Sequence, residues 1–232
     1  MENVPRILKA VVFQRFIETL KSLEYVVDYK SCLCADYGLP QRRRRLVLVA
    51  SRIGPIEIPA PTRTPAKFAT VSDAIRGLPS LKSGQGDSAD PLHASRTLSP
   101  TNQLRIQASK PGGSWLDWPE ELRAPCHRKD SGRSFGSVYA RMEWDKPSPT
   151  ITTEFHNFGS GRFGHPEQDR ALTLREAAIL QGFPSNYKFV RPGDKVELEP
   201  MARLIGNAVP PPVGKAIGRT LLECAARHSA SE

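Results

Sequence analysis

The stretch YGLPQRRRRLVLVAS, Tyr37 to Ser51, decides how this chain is read. Four consecutive arginines, Arg42 to Arg45, run directly into Leu46-Val47-Leu48-Val49-Ala50. A short unbroken apolar run after a turn predicts a strand buried on both faces. Side chains alternate across a strand, so an extended QRRRRL places Gln41, Arg43 and Arg45 on one face and Arg42 and Arg44 on the other. Three polar groups at i, i+2 and i+4 then converge at the strand's entrance, where guanidinium forks suit phosphates and base carbonyls. Charge alone favours a solvated basic patch or a localisation signal. The adjoining core strand makes the ligand-facing reading its equal.

Upstream, Leu8, Val12, Phe16, Leu20 and Leu23 stand at helical spacing over Ile7 to Leu23, and a strand is expected at about Tyr25 to Tyr29. A helix enclosed by strands is what half of an open α/β sheet looks like. Downstream, turn formers dominate, and GSVYARMEWDKPSPTITTEFH reads as two strands joined by a proline-containing turn. Order returns at LTLREAAILQGFP, where Thr173 and Glu176 have capping-box spacing, Gly182 supplies a stop and Pro184 lies beyond it. IGNAVPPPVGKAIGRTLLECAARH puts prolines in the first turn of a last helix, with Val213, Ile217, Leu221 and Cys224 as its apolar stripe. The expected division is 1–60, an α/β part, 61–170, a smaller irregular and β-rich unit, and 171–232, helices returning to the first part.

The 232 residues carry a net charge of +9, which favours nucleic acid or another anionic surface as partner. Cys32, Cys34, Cys126 and Cys224 form no disulfide framework, and no apolar run approaches bilayer length, so the chain reads as cytosolic. Cys32-x-Cys34 with Cys126-His127 matches zinc spacing poorly, and no metal is expected. FGSGRFGHP holds Gly159, Gly161 and Gly164 in G-x-G-x-x-G spacing, but His165-Pro166-Glu167 follows instead of an amphipathic helix, so it reads as a flexible loop rather than a cofactor loop. ENVP, at residues 2 to 5, is too short to interpret from physics alone, and Glu2 by itself reads as a terminal surface charge.

In order, these pieces resemble the C-terminal half of a DNA (cytosine-5)-methyltransferase. ENVP is similar to that family's Glu-Asn-Val motif, and YGLPQRRRRLVLVA to its Gln-x-Arg-x-Arg motif and following strand. LTLREAAILQGFP resembles the Arg-Glu-x-Ala-x-Leu-Gln-x-Phe-Pro motif, with Ile179 where arginine is usual, and IGNAVPPPVGKAIG the closing Gly-Asn-x-Val motif. YARMEWDKPSPTITT is similar to the end of the target-recognition region. The resemblance implies an incomplete S-adenosylmethionine-dependent, Rossmann-like sheet plus a target-recognition domain, acting on double-stranded DNA in the bacterial cytosol or nucleoid.

It further implies that a cytosine leaves the duplex. A thiolate then adds to carbon 6, and carbon 5 takes a methyl group from S-adenosylmethionine. Glu2 would hold N3 and the exocyclic amine, Arg45 would bind O2, and Arg43 would brace Glu2 and the nearby backbone, with Gln41 in support. Gln41, Arg42, Arg44 and Thr150 would serve DNA binding, and Asn207, Ala208 and Val209 would complete the cofactor pocket. Arg175 and Glu176 would hold the fold. The family's Phe-x-Gly-x-Gly cofactor loop and Pro-Cys nucleophile loop have no counterpart ahead of these motifs. Pro125-Cys126 lies inside the recognition region, so Cys126 is not expected to be the nucleophile. The leading expectation is one part of a split enzyme, inactive alone, whose N-terminal half supplies the cofactor loop and cysteine, with apolar surface exposed within the first ~50 residues. A catalytically inactive DNA-binding remnant, and an ordinary enzyme whose N-terminal part lies outside this sequence, are the alternatives.

Overall fold

The computed structural model of the chain describes residues 1–191 and 193–230, with the side chains of Asp130, Arg133 and Phe135 outside that description. Its strands are β1 (Glu2–Asn3), β2 (Val26–Leu33) and β3 (Arg44–Ser51). Its α-helices are α1 (Val11–Ser22), α2 (Val71–Ile75), α3 (Pro100–Gln107), α4 (Leu174–Leu180), α5 (Leu198–Asn207) and α6 (Pro211–Ser229). The strands form one sheet in the order β1-β3-β2, antiparallel at both pairings.

The central strand is buried on both faces, as its apolar run predicts. Leu46 and Leu48 pack with Phe13 and Ile17 of α1 on one side. Val47 and Val49 pack on the other with Cys34, Leu39, Ile56 and Ile58, and with Val213 and Cys224 of α6. Helix α1 differs from expectation in phase. Phe13 and Ile17 are its buried residues, whereas Val12, Phe16 and Leu23 are 68%, 41% and 55% exposed. The helix is apolar on two sides, and the sheet covers only one of them. In α6, similarly, Val213 and Cys224 are buried and Ile217 half-buried, but Leu221 stands exposed.

The middle segment is irregular but not β-rich. Among the described residues from 61 to 170 there are two helices, several 3-10 turns and isolated bridges, without a strand. The two strands expected around YARMEWDKPSPTITT reduce to single bridges, Arg141 with Pro111 and Gly164, and Ser148 with Gln41. Prolines at 147 and 149 lack the N–H a ladder needs. Side chains replace the ladder: buried Arg141 donates to the carbonyls of Ile106, Ser109, His165 and Gln168 and pairs with Asp169. Around it, Trp115, Trp118, Phe158 and Ile106 form a separate apolar cluster.

Helix α4 begins at the expected capping box. The Thr173 hydroxyl accepts from the Glu176 N–H, and the Glu176 carboxylate accepts from the Thr173 N–H. Gly182, at φ +95°, ends the segment in the left-handed conformation that favours glycine. Val71, Ile75, Leu92, Met142, Ile151 and Phe155 pack in one cluster with Leu174, Ala177, Met201 and Ile205. A division at residue 170 would cut through this cluster: α4 and α5 pack on the middle segment, and α6 packs on the sheet. Among the described residues no helix is long and apolar enough to cross a membrane.

Candidate active site

The pairing of β1 with β3 sets Glu2 opposite Val47 and Asn3 opposite Leu46, and the Met1 ammonium donates to the Leu48 carbonyl at 2.7 Å. Arg45 shares a face with Val47 and is therefore diagonal to Glu2, within reach of a long side chain. Arg45 Nε stands 2.8 Å from Glu2 Oε1, with the two side chains 16% and 21% exposed. Arg45 Nη1 donates to the Arg44 carbonyl at 2.8 Å. Among the described residues, Nη2 of Arg45 and Oε2 of Glu2 have no hydrogen bond. The pair thus holds itself in place through one contact and keeps one donor and one acceptor for something else.

Gln41 and Arg43 precede β3, which begins at Arg44, and they do not converge with Arg45 on one opening. Gln41 is fully buried. Its amide donates to the Leu180 carbonyl at 3.0 Å and to Gln181 Oε1 at 2.9 Å, while its oxygen accepts from the Ile151 N–H. Arg43, 3% exposed, donates to the carbonyls of Ile151 at 2.8 Å and Gly206 at 3.1 Å. Its Nε is buried without a hydrogen bond among the described residues. Burial, then the neighbouring Arg45 charge, pulls the Arg43 pKa down to about 10. These two side chains tie strand β3 to the 148–152 segment and to the ends of α4 and α5. A bond to DNA requires an exposed polar atom, which Gln41 does not offer.

Arg42 and Arg44, on the alternate positions, are exposed. Thr150 donates its hydroxyl to the Arg42 carbonyl at 3.2 Å, a further tie between the 148–152 segment and the residues just ahead of β3. Asn207 and Val209 are exposed at the end of α5, and the Ala208 carbonyl accepts from Gln181 at 2.7 Å. A ligand the size of S-adenosylmethionine needs an enclosing pocket. Residues 207–209 do not by themselves enclose one.

The buried thiols of Cys32 and Cys34 do not suit nucleophilic attack. Burial raises the pKa of Cys34 to about 11 and raises that of Cys32. Cys126 is exposed, in a 3-10 turn (Pro125–Arg128) of the middle segment whose next residue, His127, stacks on Trp115. Among the described residues no group of three His, Cys, Asp or Glu side chains could hold a metal ion.

Two ion pairs hold the framework behind the site. Arg170 and Glu176 form a buried bidentate pair at 2.8 and 2.7 Å. Arg175 pairs with Asp90 and donates to the Tyr187 carbonyl. Sequence reasoning missed Arg141 and Arg170 as organisers, because their partners are backbone carbonyls or a residue on the following helix and leave no local pattern.

The match to the C-5 cytosine-specific DNA methylase family covers residues 1–223, and the chain belongs to that family. It is 50% identical over 224 residues to a Herpetosiphon aurantiacus protein, the type II methylase M.HgiDII, covering 95% of this chain and 63% of that one. It is 34% identical over 229 residues to the type II methyltransferase M1.HphI of Haemophilus parahaemolyticus, covering 96% of this chain and 56% of the relative. The chain therefore spans less than two thirds of the length of these curated relatives. Among solved structures, an E. coli prophage-encoded protein described as a DNA modification methyltransferase superposes with a TM-score of 0.68 at 22% identity, over 97% of this chain and 68% of that one. The Spodoptera frugiperda DNMT2 structure superposes with a TM-score of 0.54 at 18% identity, over 97% and 65%. At these identities the likeness is one of fold.

Proposed function

We propose that this chain is the base-holding and DNA-recognising part of a cytosine-5 DNA methyltransferase of the type II, restriction-modification kind. The observation that carries this reading is the Glu2–Arg45 pair, built at the sheet edge with one unused donor and one unused acceptor. Cytosine offers a matching edge, with O2 as acceptor and the N4 amine as donor. Arg45 Nη2 would donate to O2, and Glu2 Oε2 would accept from the amine and from N3 once it carries a proton. Negative charge growing on the ring during attack is stabilised by donors already in place. Arg43 and Gln41 are positioning residues, and Arg42, Arg44 and Thr150 form the DNA-facing side.

S-adenosylmethionine, when bound, supplies the electrophilic methyl group. Asn207, Ala208 and Val209 would form one edge of its site, and a second polypeptide or segment would supply the rest together with the attacking cysteine. The uncovered apolar stripe of α1 supports that part of the reading, as do exposed Met1, Val4, Val26 and Ile53 on neighbouring segments. The chain alone is then inactive, and a cytosolic or nucleoid location follows.

The test is co-expression with the N-terminal part of the Herpetosiphon relative, followed by methyl transfer to duplex DNA from labelled cofactor. Activity should need both parts, and E2A and R45A should each remove most of it, by about 10²–10³-fold if each supplies one transition-state contact. Full activity in both variants would overturn the assigned roles. The second reading, a DNA-binding remnant, predicts salt-dependent duplex binding with no reconstituted methyl transfer.

A further inference from the structure

The Gly159-x-Gly161-x-x-Gly164 stretch has no place in the reading above, yet it is not a flexible loop. Gly164 bridges to Arg141 and Ala171, and Met142 donates to the Gly164 carbonyl at 2.9 Å. Its glycines make room for rings. A Cβ at Gly159 would stand 2.9 Å from the Tyr139 ring, one at Gly161 2.7 Å from the Phe163 ring, and one at Gly164 3.0 Å from the Phe158 ring. With Phe163 buried, the preceding residue, Arg162, is exposed.

Arg162 lines a cleft of about 100 Å³ together with Arg42, Glu143, Lys146 and Pro149. Gly112 also lines it, so four separate segments meet there. The Arg42 N–H donates to the Ser148 carbonyl at 2.8 Å, and the bridges from Arg141 to Gly164 fix the third wall. Lys146 is neutralised by Glu143 at 2.6 Å. Among the described residues the guanidinium groups of Arg42 and Arg162 have no hydrogen bond and no carboxylate partner. Two uncompensated cations facing one cleft leave a site for an anion. A water needs roughly 10–15 Å³ of such space, so the cleft has room for several waters and for one tetrahedral oxyanion.

We propose that this cleft clamps one backbone phosphate of duplex DNA, with Arg42 and Arg162 as the two forks and the Glu143–Lys146 pair as its floor. Planar guanidinium forks bind phosphate oxygens bidentately, and such contacts set register on the duplex without reading sequence. The proposal rests on the reading that this chain binds DNA, and it adds Arg162, from a segment with no assigned role, as a positioning residue.

The test is the salt dependence of duplex binding by the full chain, read by fluorescence anisotropy on a labelled duplex of arbitrary sequence. Each phosphate neutralised contributes about 0.9 to the slope of log Kobs against log salt, roughly a 3.5-fold change in affinity between 50 and 200 mM. R42A/R162A should lower the slope by about that amount, and R42K/R162K, which keeps the charge, should restore it. Single R162A gives an independent reading if the double variant loses its circular dichroism. An unchanged slope in folded alanine variants, with the parent binding normally, overturns the clamp and leaves the functional reading standing. Absence of salt-dependent duplex binding by the parent overturns both.

Discussion

Gly206, in the closing Gly-Asn-x-Val motif, offers a stringent test of how the site is held. A Cβ built there would stand 2.5 Å from the Thr152 carbonyl oxygen, 2.6 Å from the Thr152 carbonyl carbon and 2.8 Å from the Thr153 nitrogen. All three are backbone atoms, so no side chain can swing aside. Its backbone is not left-handed, and glycine is needed for close approach rather than for conformational freedom. With alanine, α5 must withdraw by at least 0.5 Å to reach even 3.0 Å. That movement pulls the Gly206 carbonyl, now 3.1 Å from Arg43 Nη2, out of hydrogen-bond range. Overpacking costs about 1–3 kcal/mol, and losing a charged hydrogen bond costs a further ~1.5–3 kcal/mol. For a chain of this length each kcal/mol shifts Tm by about 2–4 °C, so G206A should melt at least roughly 5 °C below the parent. Gly214 of α6 is the control, because a Cβ there meets nothing within 4 Å. G214A should stabilise by about 0.4–1 kcal/mol. Thermal melts followed by circular dichroism read both. A G206A variant melting within about 2 °C of the parent would refute the argument that α5 is locked against residues 152–153.

E176A should destabilise by about 3–5 kcal/mol, because it leaves the buried Arg170 guanidinium without its carboxylate. R170M/E176L should recover much of that loss in urea denaturation, and a double variant no more stable than E176A would contradict this account. His165 sets an acid limit. Burial lowers its pKa from 6.5 to about 4, against the opposing pull of Glu176, with Arg170, Arg141 and His93 adding to the fall. Its contribution to stability is complete above pH 6.5 and is lost as pH falls towards 4, because the unfolded chain takes up a proton that the folded chain refuses. The difference amounts to about 3 kcal/mol at most. H165Q should flatten that part of the stability profile, measured by urea denaturation at neutral pH and near pH 5, and an unchanged profile would exclude His165 as its source.

Local chemistry determined much of this protein in advance. The apolar run Leu46–Val49 became a strand buried on both faces, and Arg44 at its start took an exposed position, because strand alternation needs no distant information. The Thr173–Glu176 capping box and the Gly182 stop are equally local, since each is satisfied within one helix. Tertiary structure decided the rest. Helix α1 carries two apolar stripes, and only the position of the sheet selects Phe13 and Ile17 over Val12 and Phe16. Alternation alone would put Gln41, Arg43 and Arg45 on one side, but the strand begins only at Arg44, and Ile151, Leu180 and Gly206, more than a hundred residues away, claim the first two and leave Arg45 to meet Glu2. A hydrogen bond is made with whatever carbonyl or carboxylate the fold delivers, and which group arrives is a property of the packed chain.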